Sequence, residues 1–393
     1  MKYYESNTQP KGLHLMSKEL LDQFTEAYDS MKGEIGRFNL AIFGETGAGK
    51  STLINAMFGL DTAKTGIGNP VTQETTFYRH PNGVTGVYDT KGIETGESEK
   101  SILANFSKIV EESWAQPLEE QIHVVWFCVK ADDLRLDPTQ ERVIRALADM
   151  KLPVMLVVTK AFPTIEGELH PDHLELVADL RERGLPLSPE GEVFLTLAQG
   201  DEHRGAKPHG LEALLDATFR VAPEGVASAL AAAQQIDLAR KVKEAKKYVA
   251  VGVGSAVTAC ASPVPFSQAA LLVPIQITMM AHIAAAFGLS VKKRTLASVA
   301  GAAFAATGVT QAGRYIVGSL LDLIPGVGTI AGTAIQAGVA GTLTGAVGAA
   351  WTAVCTALYK MDPKAVEALE PKVITTMFKD EFKKASNKEG SGN

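Results

Sequence analysis

Residues 38–52 read Phe38-Asn39-Leu40-Ala41-Ile42-Phe43-Gly44-Glu45-Thr46-Gly47-Ala48-Gly49-Lys50-Ser51-Thr52. An apolar strand runs into a G-x-x-x-x-G-K-S loop, and the helical pattern that follows ends at Gly59. Glycines let such a loop curl with its backbone N–H groups pointing inward, and the helix N-terminus adds a positive dipole. The stretch therefore predicts a phosphate-binding loop between a strand and a helix.

The residue types of this loop predict separate roles. Lys50 is expected to reach the outer phosphates of a nucleoside triphosphate, and Ser51 is expected to bind Mg²⁺. The expected nucleotide contacts come from Gly44, Glu45, Thr46, Gly47, Ala48, Gly49, Lys50, Ser51 and Thr52.

A second motif closes a later strand. Two short runs, 75–79 and 84–90, are joined by His80-Pro81-Asn82-Gly83, which predicts a hairpin. The second run ends in Asp89-Thr90-Lys91-Gly92. We expect Asp89 to hold the water shell of Mg²⁺ and the Gly92 N–H to reach the terminal phosphate.

The remaining segments up to residue 222 alternate between strands and helices. Apolar runs predict strands at 122–129, 152–159 and 193–197, with helices near 98–114, 137–150, 171–183 and 210–219. This alternation predicts an α/β fold with a mostly parallel sheet and helices on both faces. Ligands of such sheets bind at the carboxyl ends of strands, where both motifs lie.

Composition limits the classes of partner and compartment. The chain has 393 residues and a net charge of -6, which gives no electrostatic case for nucleic-acid binding. Its three cysteines, Cys128, Cys260 and Cys355, show no paired spacing, so neither a disulfide framework nor a metal cluster is indicated. With a polar N-terminus that lacks a signal-peptide core, we expect a cytoplasmic protein.

Charged residues nearly vanish in the C-terminal half. Apart from His282, segment 248–291 has no ionisable charge, and 323–359 has none. The predicted layout is an N-terminal helix (1–36), the α/β domain (37–222), an all-α Gly/Ala-rich domain (223–384) and a disordered tail (385–393). A long connector helix is predicted over 224–247.

The apolar domain has two interpretations. Several windows reach the roughly 20 apolar residues that a membrane span needs. The pairs Gly328/Gly332 and Gly341/Gly345 have the spacing that lets membrane helices approach closely. A tight soluble bundle is the alternative, since alanine and glycine are only weakly hydrophobic. We expect membrane association, with lipid as a partner, and keep the soluble bundle open.

With these residues described, segment 37–222 resembles the P-loop GTPases of the Era-like type. The sequence GETGAGKSTLINA, residues 44–56, is similar to immunity-related GTPases and their bacterial relatives. The resemblance implies a GTP/GDP site with Mg²⁺ and a first switch loop in which Thr72 binds the metal, with Thr75 and Thr76 as alternatives. It also implies a charge-stabilising role for Arg135, which is otherwise a solvated surface residue.

Base recognition departs from the family pattern. Thr159-Lys160-Ala161-Phe162 stands where these GTPases carry Thr or Asn, Lys, any residue and Asp. Thr159 is expected to contact the nucleotide, Lys160 to lie along the base plane, and the Ala198 N–H to reach the guanine oxygen. Without an aspartate at 162, guanine selectivity loses its usual contact, although Glu166 could substitute. GTP is preferred, and ATP or relaxed base specificity is the alternative.

The catalytic motif departs as well. Ile93 stands where many small GTPases carry the glutamine that positions water. The resemblance therefore implies slow hydrolysis, or hydrolysis stimulated by nucleotide-dependent formation of a homodimer or oligomer. A non-hydrolysing, nucleotide-gated membrane or scaffold protein is the alternative.

The C-terminal half carries a second resemblance. Residues 323–332, Leu-Ile-Pro-Gly-Val-Gly-Thr-Ile-Ala-Gly, together with Pro263-Val264-Pro265 and the predicted helix at 276–286, are similar to an uncharacterised bacterial domain. That domain is often found behind Era-like GTPases. The resemblance implies a two-part architecture and says little about activity. From the chain as a whole, we expect nucleotide state to be coupled to the helical domain.

Overall fold

The computed structural model describes residues 11–59, 68–70, 75–80, 83–90, 97–260, 268–289, 333–362, 365–366 and 368–390. The chain divides into two compact units. The α/β unit comprises Ile35–Leu238, and the helical unit comprises Met1–Glu34 and Ala239–Asn393.

A seven-stranded sheet forms the centre of the α/β unit, in the order β2-β3-β4-β1-β5-β6-β7. Its strands are β1 (Phe38–Gly44), β2 (Gly68–Pro70), β3 (Thr75–Arg79), β4 (Thr85–Thr90), β5 (Val124–Lys130), β6 (Val154–Thr159) and β7 (Val193–Leu195). β1 pairs in parallel with β4 and β5, and β5, β6 and β7 continue in parallel. β2, β3 and β4 pair in antiparallel. The predicted mostly parallel sheet and the hairpin at 75–90 are both confirmed.

Helices cover both faces of this sheet, which explains why every residue of β1 is buried. The helices are α2 (Lys50–Phe58), α3 (Glu97–Trp114), α4 (Pro138–Asp149), α5 (Pro171–Glu182), α6 (Leu211–Val221) and α7 (Ala227–Ala233). On one face, Ala41 and Phe43 join a core with residues of α3, α4 and α5. On the other, Phe38 and Trp126 pack against Phe58 of α2. Successive strand residues point to opposite faces of the sheet. Because helices cover both faces, the strand residues on each face are apolar.

The predicted connector helix over 224–247 is wrong, because four non-helical residues separate α7 from α8 (Leu238–Cys260). Gln234 ends α7: its Oε1 accepts the N–H groups of Ile236 at 2.8 Å and Asp237 at 2.7 Å. α7 itself packs on β1 and β4, and four of its five alanines are buried. Tertiary burial and a side-chain cap therefore override the helical propensity of this segment.

The helical unit contains α1 (Lys11–Ile35), α8, α9 (Gln268–Ala286), α10 (Thr333–Tyr359) and α11 (Pro371–Gly390). α10 packs against both α9 and α11. Trp351 of α10 donates from Nε1 to Met280 O at 2.8 Å, and Gln276 Nε2 donates to Thr344 Oγ1 at 3.1 Å. The Tyr28 hydroxyl of α1 donates to Leu289 O at 3.4 Å. Buried polar groups thus join α9 to α10 and α1 to the end of α9.

Glycines bring the helices of this unit close together. A Cβ added at Gly348 would lie 2.8 Å from Val249 Cγ2, and one added at Gly341 would lie 2.8 Å from Val257 Cγ2. A Cβ added at Gly252 would lie 2.6 Å from Met279 Sδ. Small residues therefore occupy the contacts of α8 with α9 and α10.

The apolar C-terminal half can be compared with its prediction only in part. Segments 296–323 and 324–328, with the Gly328/Gly332 pair, lie outside the described residues. In the described part, one helix, Gly338–Tyr359, is long and apolar enough by length and composition to cross a membrane, and 56% of its window is buried. α11 continues to Gly390 where the sequence predicted a tail from residue 385, and Ser386 Oγ donates to Phe382 O at 2.9 Å within it.

Candidate nucleotide-binding site

The loop between β1 and α2 adopts a backbone that requires glycine. Gly44, Gly47 and Gly49 have φ angles of 139°, 78° and 81°. A Cβ added at Gly44 would lie 2.3 Å from the backbone oxygen of Cys128 on β5. The close approach of β1 to β5 therefore excludes any side chain where the strand enters the loop.

Two side chains hold the loop in place. Lys50 Nζ donates to Gly44 O at 2.9 Å and to Glu45 O at 3.1 Å, so its ammonium lies over the loop. Thr159, at the end of β6, donates from Oγ1 to Ala48 O at 2.6 Å, and its Oγ1 is 3.1 Å from Val129 O. Thr159, predicted as a nucleotide contact, thus also ties the loop to the carboxyl edge of the sheet.

Asp89 lies beside this loop, because β4 pairs with β1 in the register Ile42↔Asp89. Among the described residues, its buried Oδ1 has no hydrogen-bond partner. Burial raises the pKa of Asp89, and the positive charge of Lys50 lowers it. A buried carboxylate oxygen without a protein partner is suited to a hard cation or its water shell. Ser51 is exposed in the first turn of α2, so the two residues fit the predicted Mg²⁺ site.

Gln140 is a loop contact that the sequence analysis missed. Its Nε2 donates to Glu45 Oε1 at 2.9 Å, and its Oε1 accepts the N–H of Asp137 at 3.0 Å. Asp137 caps α4, as its sequence predicted, and also accepts the Thr139 N–H. The helix start was readable locally, but the contact between residues 95 positions apart had no sequence signal.

Of the other predicted catalytic residues, only Arg135 belongs to the described part of the chain. Thr72, Lys91, Gly92 and Ile93 lie outside the described residues. Arg135 is exposed in the turn before α4; the pKa of Asp137 is lowered mainly by its hydrogen bonds with Thr139 and to a smaller extent by the charge of Arg135. Arg135 does not line the cleft beside the loop, so its catalytic role stays a prediction.

A cleft of about 720 Å³ extends from the loop across the carboxyl edge of the sheet. It brings together five of the predicted site residues, which are Gly49, Thr52, Thr159, Lys160 and Ala198. It also contains three acids that the sequence analysis did not select, Asp132, Asp201 and Glu202. Glu166, the predicted substitute acid, is exposed on a turn and does not line the cleft.

The loop after β6 forms one wall of this cleft. Lys160 has a φ of 55°, and Phe162 N–H donates to Lys160 O at 2.8 Å. Ala161 N–H donates to Thr196 O at 3.0 Å, which ties the loop to the end of β7. The Arg204 guanidinium lies 4.8 Å from the centroid of the Phe162 ring. Lys160 and Phe162 thus lie in a constrained loop rather than a free one.

Comparisons with known proteins match both units. A family described as 50S ribosome-binding GTPase matches residues 39–160, and Domain of unknown function (DUF697) matches residues 226–385. No curated protein matches the chain.

Several solved structures are similar to it. A probable GTP-binding protein engB shares 17% identity over 47% of this chain and 97% of that chain, with a TM-score of 0.33. Toc33 from Arabidopsis thaliana, in complex with GDP and Mg²⁺, shares 17% identity over 56% and 95%, with a TM-score of 0.33. A structure concerning the chloroplast translocon components atToc33 and psToc159, for whose GTPase activity dimerization is important, shares 13% identity over 55% and 94%, with a TM-score of 0.34.

The family matches agree with the geometry of the loop and of Asp89. The chain therefore contains a P-loop GTPase domain followed by a domain of unknown function.

Proposed function

We propose that this protein binds GTP and hydrolyses it slowly, in an Mg²⁺-dependent reaction that dimerisation stimulates, and that its nucleotide state controls the helical unit. The observation that carries the proposal is the arrangement of the loop, Lys50 and the Asp89 oxygen that has no hydrogen-bond partner within the described part of the chain. The GETGAGKSTLINA sequence supports an Era-like, immunity-related type.

Lys50 has the central chemical role in this proposal. Its ammonium, which contacts the Gly44 and Glu45 carbonyls, would exchange these partners for phosphate oxygens when GTP binds. There it stabilises the negative charge that develops as water attacks the terminal phosphate, together with the loop N–H groups. Ser51 and Asp89, with Thr72, would hold Mg²⁺, which supplies further neutralisation of the phosphates. Gly92 and Arg135 complete the proposed catalytic set.

A short path connects the loop with the helical unit. α2 begins at Lys50, and Met57 O near its end accepts the Gln235 N–H at 2.8 Å. Gln235 lies three residues before α8 begins at Leu238. A shift of α2 on nucleotide binding would therefore reach the start of α8 through one hydrogen bond and a few residues of backbone.

Two further parts of the proposal depend on sequence. Ile93 in place of a water-positioning glutamine supports slow hydrolysis and a homodimer or oligomer that completes the site. The apolar helix Gly338–Tyr359 supports association with membrane lipid. Ile93 and Phe162 also favour a second candidate, a non-hydrolysing nucleotide-gated membrane or scaffold protein with ATP or relaxed base specificity.

Lys50→Ala tests the proposal. We expect it to lower GTP affinity by about 100-fold in calorimetry, since it removes a charge-assisted contact to the phosphates, and to abolish phosphate release. Lys108→Ala, an exposed lysine on α3, is the matched control and should change neither.

The rate of phosphate release per protein molecule should also rise with protein concentration, because dimerisation stimulates the reaction. Liposome flotation tests the membrane association. If Lys50→Ala keeps wild-type affinity and turnover, the proposal is wrong. Nucleotide binding without turnover at any concentration, with or without liposomes, would select the non-hydrolysing candidate.

A further inference from the structure

The cleft beside the phosphate-binding loop contains groups that can distinguish one base from another. Gly49, Thr52 and Leu53 line it beside the loop, and Lys160, Phe162 and residues 197–204 complete its lining, so a bound base would lie against the segments after β6 and β7. Guanine presents two donors, N1–H and the N2 amine, beside the O6 acceptor. An acidic side chain from these segments can accept a hydrogen bond from one of these donors.

Phe162 does not supply that acid, and its surroundings show what it does instead. Its ring is partly buried and faces the Arg204 guanidinium at 4.8 Å. This is a cation–π contact, which makes the ring a wall of the cleft. The hydrogen-bonding group that reads the base must come from another segment.

Asp201 is the best placed of the three acids that line the cleft. Its backbone pairs with Ala206 through two hydrogen bonds of 2.9 Å. Its Oδ1 accepts the His203 N–H at 2.9 Å and the Arg204 N–H at 3.3 Å. These contacts hold the carboxylate in one orientation before any ligand binds, which lowers the entropic cost of recognition.

The remaining acids are less constrained. Asp132 and Glu202 are exposed, whereas the Asp201 side chain is 31% exposed. Asp201 Oδ2 lies 3.6 Å from Arg204 Nε, an exposed pairing that leaves further lone pairs for a ligand. A partly desolvated and oriented carboxylate discriminates between partners more strongly than a mobile, solvated one.

We propose that Asp201 recognises guanine through Oδ2, which accepts a hydrogen bond from the N2 amine, in place of the aspartate that Phe162 replaces. The inference rests on the proposed GTP binding. Adenine carries no amine at this position, so the same oxygen has no donor to accept from. Base selectivity is thus supplied by the segment after β7 rather than by the one after β6.

Replacement of one carboxylate oxygen by an N–H₂ group tests this proposal directly. In Asp201→Asn, Oδ1 can keep its two backbone partners, while the amide N–H₂ can donate to an oxygen. Xanthine carries an oxygen where guanine carries the N2 amine. We therefore expect GDP affinity to fall by about 100-fold and xanthosine diphosphate affinity to rise by a similar factor, measured by calorimetry with Mg²⁺.

Two further variants keep the test independent of folding. Asp201→Ala should lose GDP affinity without gaining xanthosine diphosphate affinity, and Glu166→Gln should match the wild type. A gain of xanthosine diphosphate affinity in Asp201→Asn cannot arise from unfolding, and thermal melting checks the alanine variant.

The contrary outcomes are distinct. GDP affinity that is unchanged in Asp201→Asn, or a base switch produced by Asp132→Asn instead, would overturn the inference while leaving the proposed function intact. A wild-type protein that binds neither GTP nor GDP would refute the proposed function itself.

Discussion

The two units of this chain use glycine for different contacts. In the α/β unit, Gly44 lets β1 pass the backbone oxygen of Cys128, where an added Cβ would lie at 2.3 Å, and opens the phosphate-binding loop. In the helical unit, Gly348 lets α10 approach the Val249 side chain of α8, at 2.8 Å from an added Cβ. A paired backbone cannot move away, whereas a side chain and a helix can shift in part. Glycine is therefore a strict requirement in the first unit and a packing optimum in the second.

The units also treat buried charge differently. Asp89 keeps a buried carboxylate oxygen beside Lys50, and a bound cation would complete its surroundings. In the helical unit, Lys241 is 1% exposed and donates to Phe287 O at 3.0 Å, with its Nζ 5.2 Å from the centre of the Tyr359 ring. Burial lowers the pKa of Lys241 to about 7. In the α/β unit, a bound cation would offset the charge of the Asp89 carboxylate. In the helical unit, Lys241 loses its charge when its buried ammonium releases a proton.

Gly44→Ala should produce the largest effect. The added Cβ meets the backbone of Cys128, and the φ of 139° is unfavourable for alanine. We therefore expect the free energy of unfolding to fall by roughly 4 kcal/mol and GDP binding to become too weak to measure. Urea denaturation and calorimetry measure these quantities. Gly184→Ala, with a φ of 57° and nothing within 4 Å of the added Cβ, is the control and should cost only about 1 kcal/mol. Equal costs for the two variants would contradict the strict requirement.

Lys241→Met should remove a pH dependence of stability. The folded-state pKa of Lys241 lies below its ordinary value of 10.5, so the unfolded state binds more protons from about pH 7 to 10.5. Stability of the wild type should therefore rise with pH across that window, by up to about 1.4 kcal/mol per pH unit. Lys241→Met should lose this slope, whereas Lys246→Met, exposed on the same helix, should retain it. Urea denaturation at several alkaline pH values provides the measurement, and parallel slopes for all three proteins would show that Lys241 is not responsible.

Gly348→Ala should produce the smallest effect. Alanine gains roughly 1 kcal/mol in helix propensity, but its Cβ meets two methyl carbons of Val249 at 2.8 and 2.9 Å, and a valine side chain cannot rotate away freely. We expect a net loss of about 1 kcal/mol and faster amide exchange in α8 and α10. Gly254→Ala, also on α8 and with no described atom within 4 Å of the added Cβ, should instead stabilise by about 0.5–1 kcal/mol. If both variants stabilise equally, the close approach of α10 to α8 is not a packing constraint.

Many of the elements of the α/β unit could be predicted from the sequence, whereas the contacts between its distant segments could not. The loop at 44–52, the strand that ends at Asp89 and the capped start of α4 follow from spacing within a few residues. Gln140 on Glu45 and Gln235 on Met57 O join segments far apart in sequence, and nothing local marks them. The predicted connector helix was wrong for the same reason, since the burial of α7 on β1 and β4 comes from the tertiary fold.

The proposed base-recognition part of the site shows the same limit. Sequence reasoning identified that Phe162 replaces an acid, and it looked for a substitute nearby at Glu166. The structure leaves Glu166 outside the cleft and brings Asp201 into it, across the sheet edge from Lys160. Distance along the chain was a poor guide, because parallel strands bring the loops that follow them to one edge.

By itself, the sequence determined the chemistry of the phosphate-binding loop, the class of the first fold and the apolar character of the second unit. These depend on local backbone freedom and on the period of apolar residues, both of which can be read within one segment. Only the tertiary structure decided that Thr159 holds the loop, that Asp89 keeps an oxygen to which no described residue donates, and which acids line the cleft. Those features depend on how the strands align, and strand alignment is set by the burial of the whole sheet between its helices.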